Sequence, residues 1–98
     1  MTKPSPKDFL RSLGDTKEAV AESLRRLGVC GYRDDSLECP IANALREHAE
    51  IPFNAKHIRV LGDRITYENT DFIVHSACNT PKPVKDFIKS FDKSEITL

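Results

Sequence analysis

The chain has no tryptophan, one methionine and only four glycines among 98 residues, so a glycine-rich or collagen-like low-complexity polymer is excluded. No apolar run exceeds four residues, far below the roughly 20 needed to span a bilayer as a helix. Neither charge sign is in excess: fifteen Lys plus Arg stand against fifteen Asp plus Glu, and the two halves are each close to balance. That balance argues against a general polyanion binder, whose affinity depends on surplus cations. Cys30, Cys39 and Cys78 form an odd set with no C-x-x-C pair, a poor fit to a secreted disulfide framework. With no secretory apolar region after Met1, the expectation is a cytoplasmic chain with reduced thiols and no membrane segment.

What is present suffices for one small core. Hydrophobic residues make up 39% of the chain and charged ones 31%, the proportions of a folded domain with a solvated exterior. One domain over 1–98 is expected, with 1–4 frayed and 93–98 either a loose tail or an edge strand.

Ser5-Pro6-Lys7-Asp8 has the grammar of a helix entry: a capping hydroxyl, proline at the first helical position, and an acid near the positive end of the dipole. Phe9, Leu10 and Leu13 share one face, and Gly14 ends that helix. Asp15-Thr16-Lys17-Glu18 starts a second, in which Val20, Leu24 and Leu27 recur at helical spacing until Gly28. Gly28 to Glu38, with two glycines, Asp34-Asp35 and Ser36, is a loop. Cys39-Pro40 opens a third helix, because the residue before proline avoids the helical region and proline suits the first turn. Ile41, Ala44, Leu45 and His48 form its stripe.

After Pro52 the period falls to two. Ile58 and Val60, a turn at Gly62-Asp63, then Ile65 and Tyr67 make a hairpin, and a third strand starts near Asp71 with Phe72 and Val74 on one face. Beyond Thr80-Pro81-Lys82-Pro83, Val84, Phe87, Ile88 and Phe91 define the most apolar helical stripe in the chain. The predicted fold is α+β: three N-terminal helices, a three-stranded antiparallel meander, and a C-terminal amphipathic helix covering one sheet face. The expected core is Leu13, Val20, Leu24, Leu27, Ile41, Leu45, Ile58, Val60, Phe72, Val74, Val84, Phe87, Ile88 and Phe91.

Two segments carry a resemblance. Leu24-Arg25-Arg26-Leu27-Gly28, followed by Cys39-Pro40-Ile41-Ala42-Asn43-Ala44-Leu45, and the ending Pro83-Val84-Lys85-Asp86-Phe87-Ile88-Lys89-Ser90-Phe91-Asp92 resemble small proteins of actinobacterial genomes and their phages. Those read Leu-Arg-Arg-Leu-Gly, then Cys-Pro-Leu-Ala-Arg-Tyr-Leu, and end Pro-x-x-Val-x-x-Phe-x-x-x-Phe-Asp. Here Ile41 replaces the leucine, and Asn43 and Ala44 replace the Arg-Tyr pair. The resemblance implies a shared fold and a bacterial or phage origin, with no activity attached. A phage context also suits a modulator that sequesters a nucleotide signal. The ligand-binding groups would then be Tyr32 for stacking, Arg33 and Arg46 for phosphate, and the neighbouring Asp34 and Asp35.

Three constellations in the sequence have the residue types of a chemical site. Cys30, Cys39, His75 and Cys78 supply soft metal ligands, but Cys30 and Cys39 are too far apart for a zinc knuckle, and three small buried thiols account for them better. Cys39 at a helix start, with His48, His57 or His75 as base, has the outline of an activated nucleophile. A cysteine that simply caps a helix ahead of proline has the same outline, and no nucleophile signature accompanies it. Three helices and a hairpin also describe a winged helix, with Arg25, Arg26, Arg33, Arg46, His57, Arg59 and Arg64 as a basic patch. The long connection before the third helix departs from the short turn of a helix-turn-helix. The favoured reading is a non-enzymatic binding or regulatory module without a cofactor, acting through a protein partner or a small ligand. DNA binding and a Cys39-dependent enzyme are the alternatives, and an open sheet edge leaves room for a homodimer.

Overall fold

The computed structural model describes residues 2–51, 55–71 and 73–98, apart from the side chain of Lys56. The architecture is α+β, with element order α1 (Pro6–Ser12), α2 (Lys17–Leu27), α3 (Pro40–His48), β1 (Ala55–Val60), β2 (Arg64–Asn69), β3 (Val74–Asn79) and α4 (Lys82–Asp92). The strands form one antiparallel sheet in the order β1-β2-β3. A Cα radius of gyration of 12.5 Å agrees with the ~13 Å of a folded 100-residue chain.

Each early helix begins where a side chain can satisfy an orphan amide. Ser5 accepts from Asp8 N at 3.2 Å and Thr16 from Ala19 N at 3.1 Å. The cap of α2 is thus Thr16, leaving Glu18 inside the first turn. At the other end Gly28 adopts φ 70°, its N–H bonds Arg25 O at 3.1 Å, and Val29 N bonds Leu24 O at 3.0 Å. This is a Schellman ending, whose following apolar residue is buried; here that residue is Val29. Leu27, expected in the core, is 40% exposed. The chain reverses immediately after it, and Val29 occupies the buried place instead.

The core is built from Phe9, Leu10, Leu13, Val20, Leu24, Ile41, Leu45, Ile58, Val60, Ile65, Val84, Phe87 and Phe91, with Ile88 packed against it half-buried. Ile58, Val60 and Ile65 supply the buried face of the sheet. In register, Val60 faces Ile65 and Ile58 faces Tyr67. That face is covered mainly by α3 against β1 and α1 against β3, while α4 packs most extensively on α2. The expectation that α4 lies over the sheet is therefore corrected. Its stripe of Val84, Phe87 and Phe91 pairs with the stripe of α2, and the Phe87 and Phe91 rings stack with centroids 5.7 Å apart.

The third strand begins at Val74, three residues later than the alternation suggested. The intervening chain turns around Asn69, whose Oδ1 accepts from Asp71 N at 3.0 Å and Ile73 N at 3.1 Å, while Asn69 N donates to Ile73 O. This turn leaves Val74 61% exposed rather than in the core. The predicted core position Phe72, and Pro52-Phe53-Asn54, lie outside the described residues. After α4 the chain adds no strand. Glu95 N and Ile96 N both reach Ser90 O, Arg25 donates Nη2 to Thr97 O at 2.8 Å, and Ile96 and Leu98 pack against the core.

Candidate functional site

The 28–38 loop is held by a dense set of bonds. Gly31 makes it possible: a Cβ there would sit 2.5 Å from Glu38 O and Pro40 N, so only glycine lets the two ends of the loop meet. Tyr32 N donates to Glu38 O at 3.0 Å. Asn43 Nδ2, reaching out from α3, donates to Cys30 O at 2.8 Å and Glu38 O at 3.2 Å. Ser36 O accepts from Val60 N at 2.9 Å, fastening the loop to the sheet.

The charged residues expected to meet a ligand are engaged in the same network. Arg33 Nε donates to Phe91 O at 3.1 Å, with the guanidinium carbon 5.6 Å from the Phe91 ring centroid. Asp34 sits at φ 54°, a left-handed conformation that aspartate tolerates, and its N–H donates to Asp92 Oδ1 at 3.0 Å. Asp35 Oδ1 accepts from Leu37 N and Glu38 N, both at 3.0 Å. Arg46 donates Nη1 to Leu37 O at 2.8 Å, meets Glu38 Oε2 at 3.2 Å, and touches Asn43 Oδ1. Tyr32 differs in chemistry: it is a large aromatic side chain left 71% exposed. Beside it a cleft of about 210 Å³ is lined by Cys30, Tyr32, Arg33, Phe91, Thr97 and Leu98.

The cysteines are dispersed in their environments. Cys39 is buried at the N-cap of α3, where its Sγ accepts from Ala42 N at 3.4 Å. Burial pushes its thiol above the ordinary value of 9.0, against the opposing pull of the Ala42 and Ile41 amides. A thiol held in its neutral form is a weak nucleophile, so the helix start here works as a cap. Cys30 is exposed and Cys78 half-buried, and burial raises the Cys78 thiol too, with Lys7 opposing. Among the described residues no three His, Cys, Asp or Glu side chains gather as metal ligands, so Cys30, Cys39, His75 and Cys78 are not brought together. His75 instead stacks on Tyr67 at 5.1 Å and meets Asn69 Nδ2 through Nε2 at 3.2 Å. Of the arginines considered for a basic patch, Arg25 and Arg26 pair with Glu22 and Arg46 with Glu38.

A larger cleft, about 520 Å³, opens between α1 and β3 and is lined by Lys7, Arg11, Ser76, Ala77, Cys78, Asn79, Thr80 and Pro81. Sequence reasoning passed over it. Its signal was the i, i+4 spacing of Lys7 and Arg11, which places both cations on one side of a short helix. What faces them is set by the third strand, whose late start could not be read from alternation.

No family model, no curated protein and no solved structure matches this chain. Among the described residues no helix is long and apolar enough to cross a membrane.

Proposed function

We propose that this chain is a non-enzymatic binding module of bacterial or phage origin that acts through a protein partner docking on Tyr32 and the rigid loop around it. The observation that carries this reading is the contrast within the loop: Arg33, Asp35 and Arg46 spend polar groups on internal bonds, while the Tyr32 ring is a large apolar surface 71% exposed to solvent. An exposed aromatic on a pre-ordered support is the chemistry of a protein-binding anchor, since little conformational entropy remains to be lost on docking. Capture of a nucleotide at the same loop has weaker support. Its arginines are already partnered, and the adjoining cleft of about 210 Å³ falls below the roughly 300 Å³ of ordinary small-ligand sites. The burial of Cys39, which raises its thiol, weighs against that residue as an activated nucleophile.

Affinity capture from lysate of the source cell, run in parallel with the native chain and Tyr32→Ala, tests the reading. A protein retained stoichiometrically by the native chain and lost with Tyr32→Ala, at unchanged thermal stability, is the expected result. Equal retention by both chains, or retention of no protein by either, overturns it.

A further inference from the structure

The cleft between α1 and β3 shares no residue with the Tyr32 surface, and its chemistry is of a different kind. Lys7 and Arg11 stand one helical turn apart on its rim. Among the described residues neither has a carboxylate within ion-pair distance, whereas Arg25, Arg26, Arg46 and Lys82 all do. No aspartate or glutamate lines the cleft. The rest of the lining comes from the C-terminal part of β3 and the entry to α4, which bring Ser76, Cys78, Asn79 and Thr80 to the same cleft. Thr80 is only 5% exposed, and its Oγ1 is buried with no hydrogen-bond partner. Buried hydroxyls are ordinarily bonded, so one left unsatisfied in the wall of a cationic cleft marks a position where a polar group is missing. Ala77 and Pro81 add an apolar portion to the same wall.

We propose that this cleft binds a small phosphate ester, with Lys7 and Arg11 on the phosphate and the β3 end, including the Thr80 hydroxyl, on the rest of the molecule. The guanidinium of Arg11 offers paired donors matched to phosphate oxygens, and Lys7 adds a compact point charge beside it. A volume of about 520 Å³ exceeds what a lone inorganic ion fills and lies within the range of small-ligand sites. This site is independent of the docking surface on Tyr32, so Tyr32→Ala leaves it intact.

The test is a titration of the full chain with AMP and, separately, with inorganic phosphate, followed by amide NMR shifts in 150 mM salt. AMP is expected to move the amides of Lys7 to Arg11 and of Ser76 to Thr80 at submillimolar to millimolar concentration, and inorganic phosphate to move the same set at least tenfold more weakly. Lys7→Ala with Arg11→Ala weakens AMP binding at least tenfold. Thr80→Val, which keeps the shape and removes the hydroxyl, weakens it several-fold. Arg26→Ala, on α2, leaves it unchanged. Shifts scattered over other basic surfaces, or AMP affinity unaffected by loss of Lys7 and Arg11, overturn the site. Equal affinity for AMP and inorganic phosphate overturns the ester assignment.

Discussion

Arg33 bridges the 28–38 loop to α4 through Phe91 alone: its Nε donates to the Phe91 carbonyl at 3.1 Å while its guanidinium carbon lies 5.6 Å from the centroid of the same residue's ring. One side chain thereby uses both the backbone and the aromatic face of a core residue. The neighbouring Asp34 amide repeats the connection one residue along, to Asp92 Oδ1.

Arg33→Ala removes a hydrogen bond from a charged donor and a partly exposed cation–π contact, and it should cost about 1 kcal/mol. Urea unfolding monitored by circular dichroism measures this. Hydrogen exchange at Tyr32 and Asp34 should quicken more than at Leu24, because the loop loosens before the core does.

Gly31→Ala should be far more damaging than Gly62→Ala. The new Cβ at position 31 meets backbone atoms of Glu38 and Pro40, which cannot yield without opening the loop, whereas at position 62 nothing lies within 4 Å and φ is not positive. The expected costs are about 2 kcal/mol or more against less than about 0.5 kcal/mol, compared as midpoint shifts in denaturant at constant m.

Stability should fall with alkaline pH through Cys39. Its thiol is held above the ordinary 9.0 by burial, so the folded state binds the proton more tightly than the unfolded chain. The contribution is fully present below pH 9 and is lost as pH rises from there through the folded value. Cys39→Ser retains a capping atom for Ala42 N and no titrating thiol. It should cost modestly at pH 7, within about 1 kcal/mol, and show a shallower decline above pH 9 than the native chain. A decline of equal steepness in both chains would place the alkaline sensitivity elsewhere.

The same burial orders the thiols kinetically. With a maleimide at pH 7.5, Cys30 should react first, Cys78 more slowly, and Cys39 only at the rate of opening. Peptide mapping after timed quenching reads the order. Fast labelling of Cys39 in the folded chain would contradict its role as a buried cap.

Tyr32→Ala should leave the unfolding midpoint within about 0.5 kcal/mol of the native chain, because the side chain is mostly in solvent. This makes the substitution a clean probe of docking, separate from stability.

Local chemistry in the sequence determined much of this protein. Ser5-Pro6, Thr16 and Gly28, and Cys39-Pro40 mark helix ends because capping and proline geometry act over one turn of chain, and the change to period two at Ile58 marks the sheet for an equally local reason. The α+β order was legible for that reason. Tertiary structure decided the rest. Leu27 left the core because a Schellman ending handed its place to Val29, and Val74 left it because the Asn69 side chain took up the amides that would have extended the strand. Whether α4 covers the sheet or α2 depends on which apolar stripes meet, and periodicity names stripes without pairing them. The candidate sites divide in the same way. Tyr32 and Arg33 were visible as residues of a turn-rich loop, but the freedom of one and the engagement of the other follow from Phe91, 58 residues beyond Arg33. Lys7 and Arg11 face Thr80 only because α1 packs on β3, a contact between segments separated by most of the chain.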